Sequence, residues 1–326
     1  MRGLMRRTWM AAAIAIAVIW PEVTVAQAAQ YPTRPVRLIN PFSPGGAVDL
    51  VARTVAQKMT ESWGQPVIVD NRPGAGTMIG TDIVVRAAPD GYTLLLTSAV
   101  IATNVTLYPQ QRDPLTELAP IALVVQAPFV LAVHPSLPAK SVRELINLAK
   151  AKPRQVAYGS AGAGTTTHLM LELFKSLASI DMLHVPYKGG GPAVNALVGG
   201  EVQATFLPIT VILPQARAGR VRALGVSSAK RAELAPELPT VAEAGLPGFD
   251  AAGWYAMFAP AGTPRSIVGQ INAEVNRALQ LPDVRERFLT NGMVSFGGAP
   301  GALADYLKLE IARWAKVIKE AKIKPE

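Results

Sequence analysis

The 326-residue sequence has no cysteine and only three histidines, His134, His168 and His184. The missing thiols exclude a disulfide framework, cysteine-ligated zinc or iron–sulfur sites and a thiol nucleophile. Charge is sparse too, at 17% of residues, and aromatics reach only 6%. Half of the chain is hydrophobic, which excludes a disordered protein. The 32 basic residues outnumber the 23 acidic ones, but they are scattered. No basic run with interleaved aromatics occurs, so no nucleic-acid partner is expected. The diffuse positive excess favours small anions only as a weak field.

The one long apolar run is at the start. Arg2, Arg6 and Arg7 precede Met10 to Trp20, which is shorter than the roughly 20 residues of a membrane span. Pro21 ends the run, and Ala26-Gln27-Ala28 follows as a cleavage signature. Residues 1–28 therefore read as a secretory signal peptide. Its removal leaves 298 residues with a net charge of +7. No later stretch is long and apolar enough to span a bilayer, and no cysteine is available for a lipid anchor. An exported protein without stable membrane insertion is expected.

The remaining length suits two domains. Short apolar strands, Gly/Pro loops and helices alternate. Val36–Asn40, Val67–Asp70 and Tyr92–Thr97 are strands of a first set, with a helix from Val48 to Trp63 after the first. Val156–Tyr158, Met182–Val185, Ala204–Leu207 and Ala223–Ser227 form a second set. Trp254–Ala259 adds a strand, and two amphipathic helices close the chain. This predicts an α/β fold of two lobes, each with a mainly parallel sheet flanked by helices and a ligand cleft between them. Residues 29–128 and 251–326 would make a discontinuous first lobe, and 129–250 the second. That layout suits hinge closure around a ligand.

Loops beyond the carboxyl ends of strands bind ligands in such sheets. Two stand out: Ser43-Pro44-Gly45-Gly46, and Gly159 to Gly164 with Ser160, Ala161 and Gly162. Each precedes a helix N-terminus, where free amides and the helix dipole favour an anion. Ser160, Thr165, Thr166 and Thr167 add hydroxyls. One loop per lobe would pinch a carboxylate. Ser98 ends a first-lobe strand, Leu207 ends a second-lobe strand, and both are candidate lining residues. His168, one turn into its helix, can reach either the loop or the ligand. Asp49 is expected to brace its loop, Arg72 to form a surface salt bridge, and His134 and His184 show no evident partner.

Nucleotide and hydrolase motifs fail. Gly159 to Thr166 has P-loop spacing, but Thr165 occupies the lysine position. Tyr158 replaces the first glycine of a nucleophile elbow around Ser160. No catalytic residue, metal ligand or cofactor site is assigned.

These segments resemble one family along the whole chain after residue 28. Pro41-Phe42-Ser43-Pro44-Gly45-Gly46 with Asp49, Asn71-Arg72-Pro73-Gly74-Ala75-Gly76 and Pro89-Asp90-Gly91-Tyr92 are similar to the tripartite tricarboxylate transporter substrate-binding proteins, the Bug or TctC family. Gly159 to Thr165 with His168-Leu169, His184-Val185-Pro186-Tyr187-Lys188-Gly189 and Ala259 to Pro264 extend the match. The resemblance implies a periplasmic binding protein, not an enzyme. It implies that Ser43 to Ala47 and Ser160 to Thr166 grip a small carboxylate, with a membrane transporter or sensor as partner and a monomeric state. Pro208-Ile209-Thr210 and the stretch Pro109 to Pro114 depart from the family's usual pattern, which points to a less polar distal wall. An exported hydrolase built on Ser160 and His168, or a sensor with a decayed site, are the competing readings.

Overall fold

The computed structural model describes residues 31–108 and 113–324; the segment read as a signal peptide lies outside them, as does most of Pro109 to Pro114. Strand β1 (Val36–Asn40) leads to helix α1 (Ala47–Trp63), β2 (Val67–Asn71), α2 (Met78–Val85), β3 (Thr93–Ser98), α3 (Val100–Leu107), the single turn α4 (Pro114–Glu117) and β4 (Leu118–Ala127). Then come β5 (Phe129–Val133), α5 (Val142–Ala151), β6 (Ala157–Ser160), α6 (Thr166–Ala178), β7 (Leu183–Pro186), α7 (Gly190–Val198), β8 (Ala204–Pro208), α8 (Ile209–Arg217) and β9 (Arg222–Val226). The chain ends with β10 (Gly253–Pro260), α9 (Arg265–Gln280), α10 (Pro282–Thr290), β11 (Val294–Gly297) and α11 (Pro300–Glu320).

The strands form two sheets, ordered β11-β4-β10-β3-β1-β2 and β7-β6-β8-β5-β9. Strands β1 to β4 run one way, with β10 and β11 reversed. In the second sheet only β5 is reversed. The expected mainly parallel sheets are therefore present. Leaving out β11, the two orders correspond strand for strand, β1 to β6, β2 to β7 and β3 to β8. The reversed strands β5 and β10 are the ones reached as the chain changes sheet. Both passages are tied at one point: the Ser227 N–H donates to Phe129 O (2.8 Å), its Oγ accepts the Phe129 N–H (3.0 Å), and Ala251 N–H donates to Ser227 O (2.8 Å).

Local chemistry sets the element ends. Helix α1 stops at Gly64, whose left-handed φ of 64° lets its N–H reach Thr60 O. Ser141 Oγ accepts the Glu144 N–H at the start of α5, while the Glu144 carboxylate accepts the Lys140 N–H. Helices α3 and α4 escape the sequence pattern, and so do three further elements. Helix α8 carries Pro214, α10 opens on Pro282 immediately after α9, and β11 has only four residues.

The main core runs across both sheets. Phe174, Phe206 and Phe249 pack ring to ring beside Trp254 and α11. Glu310 of α11 is 1% exposed, a cost that its partners offset. One carboxylate oxygen accepts the indole N–H of both Trp254 and Trp314 (2.9 Å each), and the other accepts from Arg313 (2.7 Å). This clasp fixes α11 against β10.

Candidate ligand site

The two expected loops follow corresponding strands. Loop 41–46 joins β1 to α1, and loop 161–165 joins β6 to α6. Each lies at the carboxyl end of its sheet, and each opens a helix without a side-chain cap on its N-terminal amides. In the first turn of such a helix the amides have no intrahelical acceptor.

In the first loop Ser43, Pro44, Gly45, Gly46 and Ala47 are exposed. Asp49, 4% exposed, holds the loop from below. Its Oδ2 accepts the Gly45 N–H (3.0 Å) and Arg53 Nε (2.9 Å), and its Oδ1 accepts from Asn71 Nδ2 (2.9 Å). Asn71 Nδ2 also donates to Phe42 O, and Asn40 Oδ1 accepts the Phe42 N–H. Burial alone would raise the Asp49 pKa; the bonds from Arg53, Gly45 and Asn71 outweigh it and hold the carboxyl at about 2. Asp49 is thus the brace that the sequence suggests. Gly45 adopts φ +85°, which suits glycine, and turns its amide inward to this brace. The amides of Ala47, Val48 and Asp49 itself are the ones left at the mouth of α1.

The second loop is knotted more tightly. Ser160 Oγ donates to Gly162 O (3.1 Å) and lies 2.7 Å from His184 Nε2. The Gly162 N–H donates to Ser160 Oγ, the Ala161 N–H to Thr167 Oγ1 and the Gly164 N–H to His168 Nδ1 (3.0 Å). Thr165 Oγ1 donates to Gly162 O (2.7 Å). Several groups expected to face a ligand are thus engaged within the loop itself. Thr166, whose side chain has no partner among the described residues, and the first-turn amides of α6 remain.

His168 and His184 are not isolated. Their rings stack, and the Tyr158 ring stacks on His184 at 4.8 Å. Expecting His184 to lack a partner was wrong, because β7 runs parallel to β6 and pairs His184 with Tyr158, beside Ser160. His134, likewise expected alone, bonds Ser136 Oγ through Nδ1 (2.7 Å). Arg72 pairs with Asp70 (2.9 Å), as expected. Tyr158 OH donates to the buried Glu172 carboxylate, which also accepts from Lys175 (2.8 Å). The Ser160–His184 contact has the atoms of a nucleophile–base pair. Ser160 is, however, fully buried, and no carboxylate orients His184 Nδ1 among the described residues. No cluster of His, Asp and Glu among the described residues could hold a metal ion.

Two lining candidates are less open than expected. Ser98 is buried at the end of β3, and its Oγ accepts the Val100 N–H (3.4 Å). Leu207 is fully buried in the second core, because strand alternation turns it away from the Phe206 side and under α7. Ile209, in the departing Pro208-Ile209-Thr210 segment, is buried as well. With Thr210 it packs against Gly292, where an added Cβ would meet Thr210 Cγ2 at 2.6 Å. These residues join parts of the fold rather than line an open wall. Asn40 and Asn71 join Asp49 in holding the first loop, and a polar residue ending an apolar strand is a visible signal of such a role.

Residues 51–323 match the family model described as the tripartite tricarboxylate transporter family receptor. The chain belongs to this receptor family. It is 41% identical over 299 residues to the protein BugT of Bordetella pertussis, covering 90% of this chain and 92% of BugT. A Rhodopseudomonas palustris protein solved with adipate superposes with a TM-score of 0.74 at 38% identity, over 91% of this chain and all of that one. A second protein of that organism, MatC with bound malate, gives a TM-score of 0.70 at 35% identity, over 88% of this chain and all of MatC. The family is one of solute-binding receptors, not of enzymes. No helix among the described residues of this receptor is long and apolar enough to cross a membrane.

Proposed function

We propose that this receptor is a periplasmic protein that captures a small carboxylate by closing two lobes and delivers it to a tripartite tricarboxylate-type transporter or a sensor. The observation that carries the proposal is the topological equivalence of the two loops. Each follows the corresponding strand of its sheet and opens a helix N-terminus. An anion between them would meet two sets of free amides. The lobes would be residues 29–128 with 251–326, and 129–250, hinged where Phe129, Ser227 and Ala251 are tied together. Residues 1–28 would serve as the export signal.

The first lobe would contribute Ser43 to Ala47 with Ser98, and the second Ala161, Thr166 and the α6 amides. Ser160, Gly162, Gly164, Thr165 and His168 would hold the second loop in shape. Adipate and malate in the similar structures support a carboxylate ligand. The test is calorimetric titration of the exported chain with malate, adipate, hexanoate and benzoate. Saturable binding of at least one acid is expected, without its conversion; binding of none would overturn the proposal.

A further inference from the structure

The carboxyl end of the six-stranded sheet carries a row of polar side chains on one face. Asn40 pairs with Asn71 across β1 and β2. Leu38 pairs with Leu94, which puts Asn40 level with Leu96 and on the same face as Ser98. Ser98 in turn pairs with Tyr255 of β10. Asn71 bonds Asp49 of α1, so this is the face that α1 covers and over which the first loop sits. Tyr255 begins near the start of a reversed strand, so it lies at the same sheet end as loop 41–46.

Two members of this row carry polar groups with no hydrogen-bond partner among the described residues. Asn40 is fully buried, and its Nδ2 has no hydrogen-bond partner. The half-buried Tyr255 has no partner for its hydroxyl among the described residues, and burial alone raises its pKa. The phenol is therefore neutral and a donor across the physiological range. A buried amide without a partner, as at Asn40, is costly and uncommon, whereas the Tyr255 hydroxyl is not closed off from solvent and is free to donate to a bound molecule.

We infer that Tyr255 is a specificity-determining residue whose hydroxyl donates to a second oxygen function on the ligand. The inference rests on the proposed carboxylate capture and adds to it that the ligand carries a second acceptor, such as a further carboxylate. Its first carboxylate meets the helix amides. Its far end meets an uncharged donor from the sheet, which discriminates by hydrogen bonding without adding a fixed positive charge.

The test compares the full chain with its Tyr255→Phe variant by calorimetry, using adipate, malate and hexanoate. Phenylalanine fills the same space and removes only an unpartnered hydroxyl, so the variant should melt at the same temperature or slightly higher. Adipate or malate affinity should fall at least tenfold, while hexanoate changes less than threefold. Equal changes for diacid and monoacid, or unchanged diacid affinity, would overturn the inference and leave carboxylate capture standing. So would a wild-type chain that does not distinguish adipate from hexanoate. A wild-type chain that binds none of these acids would overturn both.

Discussion

His168 and His184 stack with ring centroids 3.8 Å apart and planes 9° from parallel. Each ring also holds the second loop, His168 through the Gly164 amide and His184 through Ser160 Oγ. Burial, reinforced by His168, depresses the His184 pKa to about 4. Burial also lowers that of His168, with Glu172 opposing. The unfolded chain therefore takes up protons near pH 6.5 that the folded chain refuses until about pH 4. Stability should fall as pH is lowered through that window. Thermal melts between pH 7 and about 4.5 should show a falling Tm, with a shallower fall in His184→Gln. The Asp49 carboxyl, held at about 2, does not titrate there. A flat wild-type profile would contradict the coupling.

The Asp49 carboxylate organises the first loop. Asp49→Ala removes the acceptor for Gly45, Arg53 and Asn71 together. A stability loss of about 1–3 kcal/mol in urea titration is expected. Affinity for the bound acid should fall by about tenfold or more, because the Ala47 to Asp49 amides lose their fixed direction. A normal affinity in a folded Asp49→Ala protein would remove the brace from the account of binding.

Gly45 and Gly164 have φ of +85° and +72°, and a Cβ at either would meet nothing within 4 Å. The cost of a side chain is therefore conformational, about 1–2 kcal/mol, not a clash with neighbours. Gly45→Val and Gly164→Val should remain folded by circular dichroism, with Tm lowered by a few degrees. Ligand binding should be lost in both, since the helix amides are reoriented or covered. Normal binding in either variant would show that its loop is not part of the grip.

Glu310 tests the frame behind the site. Glu310→Ala leaves the buried indole N–H groups of Trp254 and Trp314 without their acceptor. Chemical denaturation should show a loss of about 2–5 kcal/mol. Affinity per folded molecule should change little, because neither tryptophan is placed at the ligand.

Much of the frame is legible in the sequence. The helix from Val48 to Trp63 is read within one residue, since Val48, Val51, Ala52, Val55 and Met59 repeat at helical spacing and Gly64 ends it. Both loops are legible because glycine and proline mark the strand ends. What periodicity cannot carry is direction and pairing. Nothing local to Phe129 or Trp254 shows that β5 and β10 are reversed, because that follows from where the chain changes sheet. For the same reason the sequence hides the partners of His184, which depend on β6 and β7 lying side by side. It also hides Tyr255, which reads as one more strand residue until Ser98 is placed beside it. The inward turn of the Gly45 amide depends on one hydrogen bond and leaves no pattern.

Thermal-shift titration of the chain with a panel of small mono-, di- and tricarboxylates tests carboxylate capture most directly. A ligand at a hundred times its Kd adds about 2.7 kcal/mol to the folded state. For a chain of this size that corresponds to a rise of roughly 5–10 °C. Such a rise with at least one acid, abolished in Gly164→Val, is the expected result. No shift with any acid, or chemical conversion of the acid that binds, would contradict the account.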